Sequence, residues 1–244
     1  MKICAVVAYD GTDFFGWQVQ PDKRTVQGVL ENALSQLFKT TIKITGSGRT
    51  DTGVHAQGQT FSFMVDTTIP PNKIYRAINP LLPPDVKVLS TKKVPNSFNA
   101  RSSAKKKTYE YNFYLSTVEN PLKERYALMV YPTDINKMKQ AASLLLGEHD
   151  FKAFSATGSS KVTTVRTIYD IRVVKKGQDL TLSITGSGFL YNMVRIIAGS
   201  LLAVADGRIP LENISLALTT GDRNYLSKTL PAKALTLKKV SYRV

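Results

Sequence analysis

The pentapeptide Ile-Thr-Gly-Ser-Gly occurs twice in this chain, at 44–48 and at 184–188. Each copy closes a stretch of strand character, so its two placements are equivalent. That equivalence favours an internal repeat over coincidence. The repeat limits the fold to one built from two similar halves. Each half alternates strands with helices and has several strand pairs in succession, which is the α+β pattern. The expectation is two α+β halves related by a pseudo-two-fold. They would share a mostly antiparallel central sheet with flanking helices and leave a cleft between them. The stretch 99–107 (NARSSAKKK) is the natural crossing, giving halves 1–104 and 105–244.

Hydrophobic periodicity supplies the elements. Residues 2–9 and 59–65 alternate as strands, with Phe61, Phe63 and Val65 on one face of the second. Val26, Val29, Leu30, Ala33, Leu34, Leu37 and Phe38 recur at helical spacing, which predicts an amphipathic helix over 25–38. A short strand is expected at 41–46 and an aromatic strand at 108–115, where Tyr109, Tyr111, Phe113 and Leu115 share a face. A helix over 134–146 starts after Pro132 and stops at Gly147. Further strands are expected near 166–174, 180–186 and 235–242.

Composition then excludes whole classes. Thirty-three lysines and arginines against 18 acidic residues give a net charge of +15, while 43% hydrophobic residues suffice to fill a core. Such an excess of positive charge points to a polyanionic partner. No apolar run reaches the roughly 18–20 residues of a membrane span; the best, 196–205, is short and contains Gly199 and Ser200. The opening MKICAVVAYDG reaches Asp10 too soon for a secretory leader. One cysteine and two histidines rule out a disulfide and a cysteine- or histidine-built metal cage. The expectation is a cytoplasmic protein with no membrane association, metal or cofactor.

Three features carry chemistry. The glycine turn 46–53 lacks the GxxxxGK[ST] phosphate-loop pattern but holds Arg49 and Asp51, with His55 just beyond it as a structural residue. Arg195 is the only charge in the apolar segment 189–205. A guanidinium in such a helix calls for a carboxylate of good geometry. Because the two pentapeptides precede Asp51 and this segment, an Arg195–Asp51 pair is predicted that keeps the carboxylate ionised. Tyr109 begins an aromatic strand directly after Lys105, Lys106 and Lys107. Rings beside lysines suit nucleic acid, the rings stacking on bases and the lysines meeting phosphates. Arg24, Arg101, Lys175, Lys176 and Arg208 extend this anion-binding surface, whereas Tyr111 is expected in the core. Charge and aromatics fit a non-catalytic RNA-binding protein equally well. A metal-dependent nuclease would need more clustered carboxylates than the turn supplies.

Longer motifs add a resemblance. Residues 9–21 (YDGTDFFGWQVQP) and 48–56 (GRTDTGVHA) resemble the opening and active-site motifs of the tRNA pseudouridine synthase A family. Further similar segments are TVQG at 25–28, KTYEY at 107–111, GEHDF at 147–151, FLYNMVR at 189–195 and PAKAL at 231–235. They run in order from residue 9 to 235. What the resemblance implies is cofactor-free isomerisation of uridine to pseudouridine at positions 38, 39 and 40 of the tRNA anticodon stem-loop. The catalytic residues implied are Asp51 as nucleophile, with Arg195 and Tyr109. Arg49 would fill the space left by a flipped base, Tyr109 would stack on the uracil, and Leu235 would pack against its far side. Arg24, Arg101, Lys105 and Lys107 would meet the RNA. Attack at uracil C6 or at ribose C1′ is equally compatible. A homodimer in which one tRNA contacts both subunits is implied as well. Asn99 stands where the family often has His, and Ala234 where Gly is frequent.

Overall fold

The computed structural model describes residues 1–156 and 163–242. The chain folds as two compact units: residues 1–105 with the chain from Thr236 onward, and Lys106–Leu235.

In the first unit, strand β1 (Lys2–Tyr9) lies between β3 (His55–Met64) and β4 (Val86–Val94), antiparallel to both. A two-residue strand, β2 (Thr45–Gly46), pairs with Ser62 and Phe61 of β3. Helix α1 (Val26–Phe38) begins where sequence places it, because the Thr25 hydroxyl accepts the Gly28 N–H and caps the first turn. Its buried stripe is Val26, Leu30, Ala33 and Leu34. Glu31, also buried, takes Nε2 of Gln27 (2.9 Å), Nζ of Lys43 (2.9 Å) and the Ile44 N–H (3.1 Å). These bonds tie the helix to the segment that enters β2. Only Thr45 and Gly46 of the expected 41–46 strand pair in the sheet, since Ile44 spends its N–H on Glu31. Helix α2 (Ile74–Ile78) lies between Pro71 and Pro80.

The division at 104/105 leaves the last strand with the second half, but the chain from Thr236 packs in the first unit. Strand β10 (Leu235–Ser241) runs parallel to β3, with Thr236 opposite His55 and Leu237 opposite Ala56. Residues so far apart in sequence give no local signal of this pairing.

In the second unit the sheet runs β5 (Lys106–Leu115), β9 (Asp179–Gly186), β8 (Val165–Lys176), β7 (Gly147–Asp150), antiparallel throughout. Strand β6 (Leu128–Val130) joins β5 in parallel. Helix α3 (Ile135–Ser143) is capped by the Asp134 carboxylate, which accepts the N–H groups of Asn136 and Lys137. It packs on α4 (Met193–Ala205), and α5 (Glu212–Thr220) completes the unit. Every residue of α4 except Arg195 is buried. Tyr111 and Phe113 of β5, with ring centroids 4.8 Å apart, are buried on the same face of the strand.

The repeated pentapeptide has a common local role. The Ser47 N–H donates to the Thr60 carbonyl at 2.8 Å, and the Ser187 N–H donates to the Thr167 carbonyl at 2.9 Å. Each copy thus turns out of its strand while still tethered to a neighbouring one. Among the described residues, no helix is long and apolar enough to cross a membrane.

Candidate functional site

In the first unit the sequence 9–17 wraps the turn that carries Asp51. The Trp17 N–H donates to the Thr50 carbonyl (3.1 Å), the Gly53 N–H to the Phe14 carbonyl (3.3 Å), and the Val54 N–H closes the turn on the Asp51 carbonyl (3.1 Å). This approach requires glycine at two positions. A Cβ on Gly11 would lie 2.0 Å from the Val54 carbonyl oxygen. One on Gly16, at φ +80°, would lie 2.7 Å from the Thr50 carbonyl oxygen. The Trp17 indole lies directly over Gly46 and also packs on Tyr9 and Phe61. On this support Asp51 is half-buried and Arg49 exposed, and Thr50 between them is buried. The Thr50 side chain is therefore taken into the protein, while Arg49 is left accessible and Asp51 partly so.

His55 is buried and belongs to the scaffold. Its Nδ1 accepts the Gly11 N–H at 3.0 Å and has the Asp10 carboxylate 3.1 Å away. A single nitrogen cannot accept from the amide and donate to the carboxylate at once. The amide can only donate, so Nδ1 is the acceptor, which joins the first motif to the turn.

The other basic residues of this unit differ in what they already touch. Arg24 makes a bidentate pair with Asp85 (2.8 and 2.9 Å) and stacks over Phe14, 4.0 Å from its ring centroid. Its charge is matched within the unit. Arg101 is exposed on a turn built by Asn99, whose Oδ1 accepts the N–H groups of Arg101 and Ser102. The segment is fixed further by Ser62 Oγ accepting the Ala100 N–H and by the Tyr242 hydroxyl donating to the Ala100 carbonyl. Lys105 is exposed, and its N–H donates to the Ser241 carbonyl.

In the second unit Arg195 is held by two fixed acceptors. Its Nε donates to the Leu230 carbonyl and its Nη1 to Asn192 Oδ1, both at 2.7 Å. Asn192 sits at φ 59°, a left-handed conformation that asparagine tolerates. For that reason α4 starts at Met193, although the apolar run begins at Phe189. Tyr109 is nearly buried on β5, and Phe189 meets its ring edge-on with centroids 5.2 Å apart. Tyr111 lies two residues along the same strand. Its hydroxyl donates to the Pro231 carbonyl at 2.8 Å, and burial raises its phenol pKa against the opposing charge of Arg195. Arg195 and Tyr111 thus anchor the adjacent carbonyls of Leu230 and Pro231, just upstream of buried Leu235. Lys107 is half-buried at the start of β5, opposite Gly186.

Sequence reasoning missed two supports, Asn192 and also Gln59, whose Nε2 donates to the Gly48 carbonyl beside Arg49. The Asn192 signal was available, because it precedes Arg195 by one helical turn. Gln59 gives no such signal, since a polar residue in a strand normally faces solvent.

The sequence profile of the tRNA pseudouridine synthase family matches residues 5–101 and 141–243. A tRNA pseudouridine synthase A of Thermoanaerobacter sp. (strain X514) is 42% identical over 242 residues, covering 99% of each chain. One from Halalkalibacterium halodurans is 45% identical over 236 residues, 96% of this chain and 90% of the relative. One from Ruminiclostridium cellulolyticum is 42% identical over 243 residues, again 99% of both. Among solved structures, a Cbf5–Nop10–Gar1 complex aligns with a TM-score of 0.38 and 12% identity, covering 96% of this chain and 57% of that one. Profile and relatives span nearly the whole chain, including the Asp51 turn and the Arg195 helix: the protein belongs to the tRNA pseudouridine synthase family.

Proposed function

We propose that this protein isomerises uridine to pseudouridine at positions 38, 39 and 40 of the tRNA anticodon stem-loop, with Asp51 as the nucleophile. The observation that carries the reading is the turn itself. Asp51, half-buried, and Arg49, exposed, stand on a glycine turn whose neighbouring peptides are tied down by buried partners. The same residues lie in the segment 48–56 that resembles the family's active-site motif, within the residues 5–101 that the family profile matches.

A uracil in a stem or loop must leave the stack before its C5 and N1 can be reached, at a cost of a few kcal/mol. Arg49 takes the vacated space. The N1–C1′ bond breaks, the uracil rotates, and a C5–C1′ bond forms. The C5 proton is lost and N1 regains one, so the product is an isomer and no redox partner is consumed. Asp51 must be ionised to act as a nucleophile, and Arg195 is the cation that serves this. Tyr109 stacks on the extruded base and takes part in proton transfer from C5. Leu235 supports the other face of the uracil. Arg101, Lys105 and Lys107 meet the phosphates, Arg24 contributes less because it is paired with Asp85, and a cytoplasmic homodimer offers these groups to one tRNA.

Mapping pseudouridine in cellular tRNA after deletion of the protein tests this. Losses confined to positions 38–40 are expected. Unchanged modification there, or losses in another arm, would overturn the assignment.

A further inference from the structure

Behind exposed Arg49 and half-buried Asp51 lies a buried polar cluster. Gln59 is fully buried in β3. Its Oε1 accepts the Ser47 hydroxyl at 2.5 Å and the Thr60 N–H at 3.0 Å, and its Nε2 donates to the Gly48 carbonyl at 3.1 Å. Tyr9, opposite β3 on β1, places its hydroxyl 2.8 Å from Thr50 Oγ1. Burial raises the Tyr9 phenol pKa, so it remains a hydroxyl at any working pH.

The arrangement is bracketing. Arg49 sits between Gly48, whose carbonyl is held by Gln59, and Thr50, whose hydroxyl is held by Tyr9 and whose carbonyl is held by the Trp17 N–H. Asp51 is the next residue. A core needs no such cluster for stability, because apolar groups of the same shape can replace paired polar ones at little cost. Hydrogen bonds do fix direction, and a fully satisfied buried network specifies one geometry. No buried side-chain polar atom among the described residues lacks a partner.

We propose that Tyr9 and Gln59 are positioning residues, which set the orientation of Arg49 and Asp51 through Gly48 and Thr50 without touching the uridine. This rests on the proposed reading of Asp51 as nucleophile. A group displaced by about 1 Å can lose about 100-fold in rate while the substrate still binds.

The test uses the full-length protein with tRNA carrying tritium at uridine C5, enzyme in excess, so that rate constant and reacting fraction are read separately. Tyr9→Phe and Thr50→Val each remove one hydroxyl, and Gln59→Met removes the amide at similar volume. Each should lower the single-turnover rate constant by about 10- to 100-fold. Affinity for tRNA should stay within about threefold, with the reacting fraction and the folded far-ultraviolet signal retained. The double variant Tyr9→Phe/Thr50→Val should be no slower than the worse single one, as for two ends of one bond. Thr50→Ser, which keeps the hydroxyl, should restore most of the rate. A purely structural role predicts a smaller reacting fraction with the wild-type rate constant. That result, or wild-type rates in Tyr9→Phe and Thr50→Val, would overturn the proposal. If Gln59→Met fails to fold, the Tyr9–Thr50 pair still decides. Wild-type protein that releases no tritium, or Asp51→Ala that keeps releasing it, would instead sink the reading of Asp51.

Discussion

Replacing a helical glycine by alanine normally stabilises, by about 0.5–1 kcal/mol. Gly199→Ala in α4 should do the reverse. An alanine Cβ there would lie 2.2 Å from the Lys228 carbonyl oxygen and 3.3 Å from Leu230 Cγ. Relief of the first contact requires the 228–230 backbone to move by about 1 Å, and overpacking of this kind costs about 1–3 kcal/mol. The Ser227 N–H, which donates to Ser200 Oγ at 3.2 Å, is disturbed with it. Against the propensity gain, the net is a loss of about 0–2 kcal/mol. For a chain of this size each kcal/mol lowers Tm by about 2–4 °C. The displaced segment also carries the Leu230 carbonyl that accepts Arg195 Nε at 2.7 Å. The guanidinium should therefore lose its setting, and the single-turnover rate should fall by about 10-fold or more. Thermal unfolding followed by circular dichroism and a tritium-release time course measure the two effects. A Gly199→Ala protein with raised Tm and the wild-type rate would show that residues 227–230 are not wedged against α4 and do not set Arg195.

Other outcomes follow from single contacts. Lys233 hydrogen-bonds Glu124, as does the Tyr114 hydroxyl, and together they hold the Glu124 carboxyl below its ordinary value. The resulting stability is present above the unfolded glutamate pKa of about 4.3 and is lost as pH falls through the lower folded value. Urea midpoints measured from pH 6 to pH 3 should fall less steeply in Lys233→Gln than in the wild type, and parallel curves would refute the link. Arg101 is exposed, whereas Arg24 already pairs with Asp85. Arg101→Ala should thus reduce the slope of log affinity for tRNA against log salt by about 1, and Arg24→Ala by less. Equal slopes for the two would show that Arg24 leaves Asp85 for phosphate.

Local patterns were legible where one interaction decides the element. Helix α1 follows from Thr25 and a stripe of apolar residues, and β5 from its alternating aromatics. Strand β4 escaped because Lys87, Lys92 and Lys93 mask the short period of Val86 and Val88. Strand β10 was legible at 235–242, but its place beside β3 was not, because that parallel partner is distant in sequence. The start of α4 was misplaced by four residues, since one left-handed asparagine outweighs an apolar run. Within the site, the lone charge of Arg195 pointed to a carboxylate partner, Asp51, and gave no sign of the neutral oxygens of Leu230 and Asn192 that accept from it. Asn192, three residues before it, is a local partner, whereas the Leu230 carbonyl is brought to it by packing from 35 residues away. His55 was legible as scaffold from its place beside the turn. The ion pair of Arg24 was not, because Asp85 is 61 residues away.

The proposed chemistry turns on Asp51. Tritium release from C5-labelled tRNA should be abolished in Asp51→Ala, while tRNA binding and the melting curve stay close to those of the unaltered protein. Release by that variant at the unaltered rate would contradict the assignment of Asp51 as the nucleophile.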